Sequence, residues 1–284
     1  MGPPKKLHKV AIIEKIHQDG LDLLKNNPNY DLKIIEDTSE QNLIKELPNF
    51  EACTLRVSKL PIIDSKNRIG SCVSRPSKFI GIGLNFIDHA KEQNLPIPKE
   101  PIIFSKFVNC LSGPNDDIII PKHSKKTDWE VELGIIIGKK SQYIKEEKSN
   151  EHIFGYCVVN DISEREFQIE RSGTWDKGKG CDTFGPIGPY LVTKDEIKNV
   201  QNLNLELKVN NKIMQKGNTN KMIFNVNFLV SYISNFMTLN PGDIITTGTP
   251  PGVGMAMKPQ VFLNSGDEMI LKIDNLGTQK QKVL

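Results

Sequence analysis

The chain has 284 residues, 38% hydrophobic and 25% charged, an ordinary balance for a globular protein and enough length for one large domain or two unequal ones. A formal charge of +3, with lysines dispersed rather than gathered in a stripe, argues against a nucleic-acid partner. No apolar run approaches the ~18 residues of a membrane span, and the five cysteines show no CxxC spacing, which fits free thiols in the reducing cytoplasm.

The first residues, Met1-Gly2-Pro3-Pro4-Lys5-Lys6, lead into no apolar h-region, and position 6 is neither Ser nor Thr. Neither a signal peptide nor a myristoyl anchor is expected. Residues 1–75 read as a small α/β domain. Lys9 to Ile13 forms a strand, Asp19 to Lys25 a helix stopped by Asn26-Asn27-Pro28, Tyr30 to Ile35 a second strand, and Ser39 to Leu47 a short helix ended by Pro48. Nothing in this part gathers His, Cys, Asp and Glu into a chemical cluster.

Residues 76–284 carry the candidate chemistry. Phe79 to Gly83 runs as a strand into a turn, and Asn85 or Asp88 is placed to cap a helix that begins near His89. The glycines here do not fit GxGxxG, because position 86 is Phe, so a dinucleotide fingerprint is excluded. His89 and Glu92 are three apart and share a helix face. A carboxylate beside an imidazole orients it and raises its basicity, as a general base requires; an ordinary exposed pair has the same spacing. Pro96, Pro98 and Pro101 then make a stiff loop, either plain structure or the hinge of a lid.

Thr127-Asp128-Trp129-Glu130-Val131-Glu132-Leu133-Gly134 opens an apolar strand. Side chains two apart in a strand share a face, so Glu130 and Glu132 stand about 7 Å apart by strand rise. Two carboxylates aimed into one small volume call for a positive charge between them, and a hard divalent cation with oxygen ligands is the economical one. A solvated acidic strand end fits the same spacing. Gly155 to Ser163 is a second apolar run with a carboxylate, Asp161, at its end, which is either a third ligand or a helix N-cap. Glu164 to Gln168 reads as a polar helical piece.

Trp175 to Pro189 is rich enough in glycine and proline to read as a long ordered loop, in which Lys179 could face an anion. Cys181 has no histidine nearby and reads as a buried free thiol. Leu203 to Val209 alternates strictly as a strand, Phe224 to Phe236 has helical spacing, and Met269 to Ile273 is the last strand. The stretch Thr247-Gly248-Thr249-Pro250-Pro251-Gly252-Val253-Gly254 lacks the Lys-Ser/Thr of a phosphate-binding P-loop. Its amides and the Thr249 hydroxyl could hold a small carboxylate.

In order, the stretches Gly83 to His89, Trp129 to Gly134, Asn160 to Ser163, Lys179 to Phe184 and Thr247 to Gly254 resemble the fumarylacetoacetate hydrolase superfamily from about residue 75 to the end. The resemblance implies an α+β, mostly β fold: a mixed β-sandwich or roll behind the small N-terminal α/β domain, usually as a homodimer. It also implies Glu130, Glu132 and Asp161 as ligands of Mg²⁺ or Mn²⁺, His89 and Glu92 as the water-activating pair, and Lys179 as the lysine facing substrate. Arg165, Gln168 and Thr249 match positions lining the substrate site. Glu164 to Arg171 with Trp175 to Cys181 resembles the subgroup of 2,4-diketo-3-deoxy-L-rhamnonate and -fuconate hydrolases, whose relatives are often labelled ureidoglycolate lyase. The activity implied is cleavage of the C–C bond of a 2,4-diketo acid of the acylpyruvate type, to pyruvate and a carboxylic acid. Ureidoglycolate lysis, keto–enol isomerisation or decarboxylation of a 2-oxo acid are the alternatives on the same site, and a non-enzymatic small-acid binding protein is the alternative of another class. Phe86 departs from the Tyr of many members and removes a hydroxyl.

Overall fold

A computed structural model describes residues 8–13, 18–28, 30–50, 52–54 and 68–284; the N-terminal motif Met1 to Lys6 lies outside them. The chain divides into two compact units, residues 1–68 and 69–284. In the first, the strand His8–Ile13 lies between Tyr30–Ile35 and Ala52–Thr54 and runs parallel to both. Parallel neighbours need crossovers, and the helices Gln18–Lys25 and Glu40–Glu46 fall between the strands in sequence. Ser39 caps the second helix by accepting from the Asn42 amide. Ala11, Ile13, Ile35, Leu43 and Leu47 form a core of their own.

The second unit is built on a seven-stranded mixed sheet. Its order is Ile102–Lys106, Phe79–Gly83, Ile244–Thr246, Val131–Ile137, Ile153–Asn160, Gly185–Thr193 and Leu111–Ser112. The central strand Val131–Ile137 is buried along its whole length, which is why it reads as an apolar run rather than an alternation. A four-stranded antiparallel sheet, in the order Lys212–Asn218, Asn204–Val209, Glu268–Ile273 and Gly277–Lys282, shares its core. Leu205, Leu207 and Val209 face inward while Asn204, Glu206 and Lys208 alternate outward, as the period of two requires. The fold is mostly β, and the helix Val226–Ser234, capped by Asn225 through the Phe228 amide, matches the helical spacing read there. Among the described residues, no helix is long and apolar enough to cross a membrane.

Three local readings are corrected. The stretch 175–189 is not irregular throughout: Asp176–Lys179 is a helical turn, and Gly185–Thr193 is a strand. Its prolines are tolerated because Pro186 lies where the strand leaves its short parallel neighbour and Pro189 lies in a register shift. Asn85 does not cap the helix Ile87–Glu92, whose N-cap is Phe86. Instead Asn85 is buried, donating to the carbonyls of Phe224 and Thr247 and accepting from the Phe224 amide. Finally, Met269 to Ile273 is not the last strand, since Gly277–Lys282 pairs with it.

Candidate active site

The sheet register places the acidic groups. Val131 pairs with Asn160, and the Asp161 amide donates to the Glu130 carbonyl at 2.9 Å. Glu130 and Asp161 therefore emerge side by side from neighbouring strands, and Glu132 follows Glu130 on the same face. One oxygen of each of the three carboxylates lies within 4.8 Å of the others. All three residues are buried, Asp161 completely.

Two lysines and an arginine answer these charges. Lys179 Nζ donates to Glu130 Oε2 at 2.6 Å and to Asp161 Oδ2 at 2.7 Å. Arg165 Nη2 donates to Glu130 Oε1 at 2.7 Å, its Nε donates to Asp128, and its Nη1 donates to Gln168 Oε1 at 2.9 Å. Lys106, wholly buried, sets Nζ 2.6 Å from Asp161 Oδ1, an ion pair by distance rather than an aligned hydrogen bond. The same ammonium donates to the Lys179 carbonyl at 2.5 Å. Among the described residues no cation lies within ion-pairing distance of Glu132, which accepts from the Thr246 hydroxyl and the Gly248 amide.

These surroundings split the two glutamates. Burial works against ionised Glu130, yet Lys179 and Arg165 outweigh it and hold the carboxyl well below the usual range. Burial, then the charges of Asp161 and Glu130, push Glu132 well above that range. Burial likewise opposes the charge on Lys106, but Asp161 raises its value in balance. The result is a site in which one acid is firmly ionised and its neighbour two residues away favours its proton.

The loop after Ile244–Thr246 joins this cluster to the His89 pair. Its Gly248 amide donates to Glu132, its Gly252 amide to both oxygens of Glu92 at 3.0 and 3.2 Å, and its Gly254 amide to Asp128. Those amides are thus engaged by the protein's own carboxylates. Glu92 Oε2 lies 3.1 Å from His89 Nδ1, and His89 is only 5% exposed. Gly252 takes φ +104°, where a side chain would be strained and would meet the Met214 carbonyl, so the loop needs glycine at this turn.

The structure therefore gathers Glu130, Glu132, Asp161, Lys179, Arg165 and Gln168 in one network and ties His89 and Glu92 to it through the loop. Thr249 is buried beside them, but its hydroxyl donates to the Val131 carbonyl and accepts from Gln215. Cys181 is half-buried and its thiol is pushed up to about 11, mainly by burial, which makes it a poor nucleophile. Sequence reading missed Lys106, Asp128 and Gln93. Lys106 had a legible signal: in Ile102–Lys106 it falls two residues after the inward Phe104, so it had to point inward too.

The model of the fumarylacetoacetate (FAA) hydrolase C-terminal domain matches residues 78–284. The chain belongs to this family. A curated relative from Burkholderia ambifaria, named "Putative hydrolase", is 58% identical over 223 residues, covering 78% of this chain and 79% of its own. Two solved structures are similar over about three quarters of the chain. Fumarylacetoacetate hydrolase from Exiguobacterium antarcticum is 36% identical, with TM-score 0.68 over 73% of this chain and 75% of that one. A 2-hydroxyhepta-2,4-diene-1,7-dioate isomerase from Mycobacterium marinum is 34% identical, with TM-score 0.67 over 76% and 77%.

Proposed function

We propose that this chain is a divalent-cation-dependent hydrolase that cleaves the C–C bond of a 2,4-diketo acid of the acylpyruvate type, a 2,4-diketo-3-deoxy sugar acid being the subgroup's substrate class. The observation that carries this reading is the buried Glu130–Glu132–Asp161 triad beside Lys179, with the His89–Glu92 pair docked on the same loop. Three converging, buried, all-oxygen donors fit a hard cation, Mg²⁺ first and Mn²⁺ second. When bound, the cation supplies Lewis-acid polarisation of the substrate's carboxylate and 2-keto oxygens.

The chain's own residues do the rest. His89, oriented by Glu92, takes a proton from water as the water oxygen adds to the 4-carbonyl. The C3–C4 bond then breaks, its electron pair passes into a pyruvate enolate, and C3 is protonated to release pyruvate. The Lys179 ammonium stabilises the enolate charge. Arg165 occupies the Gln168 carbonyl oxygen, which leaves the Gln168 N–H donors for a substrate oxygen. Thr249 lines the site with its hydroxyl proton already committed. The family resemblance favours a homodimer in the cytoplasm.

The test is product analysis by NMR, with Mg²⁺-loaded enzyme given acetylpyruvate and 2,4-diketo-3-deoxy-rhamnonate in parallel. Pyruvate and the matching acid are expected in equal amounts. Likeness to a solved isomerase favours one second reading, in which a proton leaves C3 of the intact substrate, the resulting enolate is reprotonated elsewhere, and no water adds and no C–C bond breaks. Substrate rearranged with no acid partner would establish that reading instead.

Glu132 supplies an independent check on the cation. Its folded value lies above the ordinary 4.5. The stability its protonated form contributes is therefore full below that value and is lost as pH rises through the folded one. Carboxylate ligands act ionised, so Glu132 must release its proton on binding. Calorimetric titration of metal-free protein with Mg²⁺ over a pH series, in buffers of different ionisation heat, should show proton release that persists above pH 4.5 and ceases once Glu132 is ionised in the metal-free protein. No release above pH 4.5 would mean that Glu132 is already ionised there.

A further inference from the structure

We propose that Gln93 is a positioning residue for His89, setting which ring nitrogen carries the lone pair and holding that lone pair until water takes its place; this rests on His89 being the base. His89 Nε2 lies 2.7 Å from Gln93 Nε2, and Nδ1 lies 3.1 Å from Glu92 Oε2. The ring is thus clamped by residues three and four positions further along the chain, the two spacings that share a helix face.

The proton assignment follows from the partners. Glu92 already accepts the Gly252 amide on both oxygens, and a carboxylate has no proton to give, so Nδ1 carries the hydrogen. A neutral imidazole protonated on Nδ1 keeps its lone pair on Nε2. The Gln93 amide is turned with its nitrogen toward that lone pair and donates to it. With the opposite tautomer, Glu92 would face a bare lone pair, and Gln93 would have to present its oxygen. Glu92 and Gln93 therefore specify the same state.

This is the tautomer a water-activating base needs, with the basic lone pair on the nitrogen away from the carboxylate. The Gln93 N–H must withdraw before water can donate there. The proton then moves from the water oxygen to Nε2 while that oxygen bonds to the substrate carbonyl, and Gln93 itself exchanges no proton. Rotation of one terminal amide suffices, because that torsion is soft.

The experiment is ¹⁵N-histidine NMR of the full chain together with steady-state kinetics, using Mn²⁺ affinity as the control for an intact site. Wild-type His89 should appear as the Nδ1–H tautomer. Gln93→Glu places a second acceptor-only group on Nε2, so His89 should appear protonated on both nitrogens at neutral pH, with kcat reduced by about 10²-fold and Mn²⁺ affinity retained. Gln93→Leu should keep the Nδ1–H tautomer through Glu92 and lose less. An Nε2–H tautomer in the wild type, or Gln93→Glu with unchanged kcat, would overturn the inference if His89→Ala is inactive. Full turnover by His89→Ala would overturn the base assignment and this inference together, and so separates the two failures.

Discussion

Replacing Asp161 by alanine is expected to lower folding stability by about 3–5 kcal/mol, a large share of the ~5–15 kcal/mol that a domain commonly has. The reason lies in what Asp161 neutralises. Lys106 faces one oxygen at 2.6 Å and Lys179 the other at 2.7 Å, with all three side chains almost wholly buried. Removing the carboxylate leaves two ammonium groups close together in the interior. Lys179 keeps Glu130, while Lys106 keeps the Lys179 carbonyl and the face of the Phe79 ring, with no second carboxylate in ion-pairing distance among the described residues. A carbonyl dipole is a poor substitute for a full opposite charge at low dielectric. Asp161→Asn should cost less, since one oxygen still accepts from a lysine. Combining Asp161→Asn with Lys106→Met should cost less than the sum of the single changes, because the second change removes the charge the first one stranded. Urea denaturation of metal-free protein measures all of these. A loss under ~1 kcal/mol for Asp161→Ala, the range of a surface pair, would mean that Asp161 is not the counterion that holds the lysines.

The same residues show what the sequence could and could not reveal. Glu130, Glu132 and Asp161 were legible because each interrupts or ends an apolar run, where a carboxylate is out of place unless something answers it. Lys106 carries a signal of another kind, its two-residue offset from Phe104, which points inward only once Ile102–Lys106 is taken as a strand. Gly277–Lys282 carries no such signal. Its inward residues are Gln279 and Gln281, so a search for alternating apolar residues passes over it. Their burial is satisfied by amide pairing: Gln279 donates to the Val158 and Gly188 carbonyls, and Gln281 accepts from Asn160. Asn160 in turn accepts the Glu130 amide. A polar strand thus supports the backbone under the triad, through contacts 91 and 121 residues apart in sequence that no local pattern encodes. The glycine-rich loop was visible as a loop, but its partners were not. That its amides go to Glu132, Glu92 and Asp128 depends on three-dimensional closure alone.

His89→Ala is expected to lower kcat by about 10²–10⁴-fold, or about 2.7–5.5 kcal/mol of transition-state stabilisation at about 1.36 kcal/mol per decade, with divalent-cation affinity unchanged. The separation of the two effects is structural. The imidazole is bonded to Glu92 and Gln93, whereas the triad's direct partners are Lys106, Lys179, Arg165, Thr246 and Gly248. Truncating the ring therefore removes the base and leaves the ligand set in place. If proton transfer contributes only in the transition state, kcat and kcat/KM should fall together. Glu92→Gln should fall less far, because a neutral amide can still accept from Nδ1 but offers the competing orientation as well. Single-turnover kinetics with saturating acetylpyruvate, beside a Mn²⁺ titration of the same variants, would measure both quantities. Turnover that survives in His89→Ala would take the proton transfer away from this histidine. Loss of turnover together with cation binding would mean that the loop carrying Gly248 and Gly252 had moved, because it is the element that touches both groups.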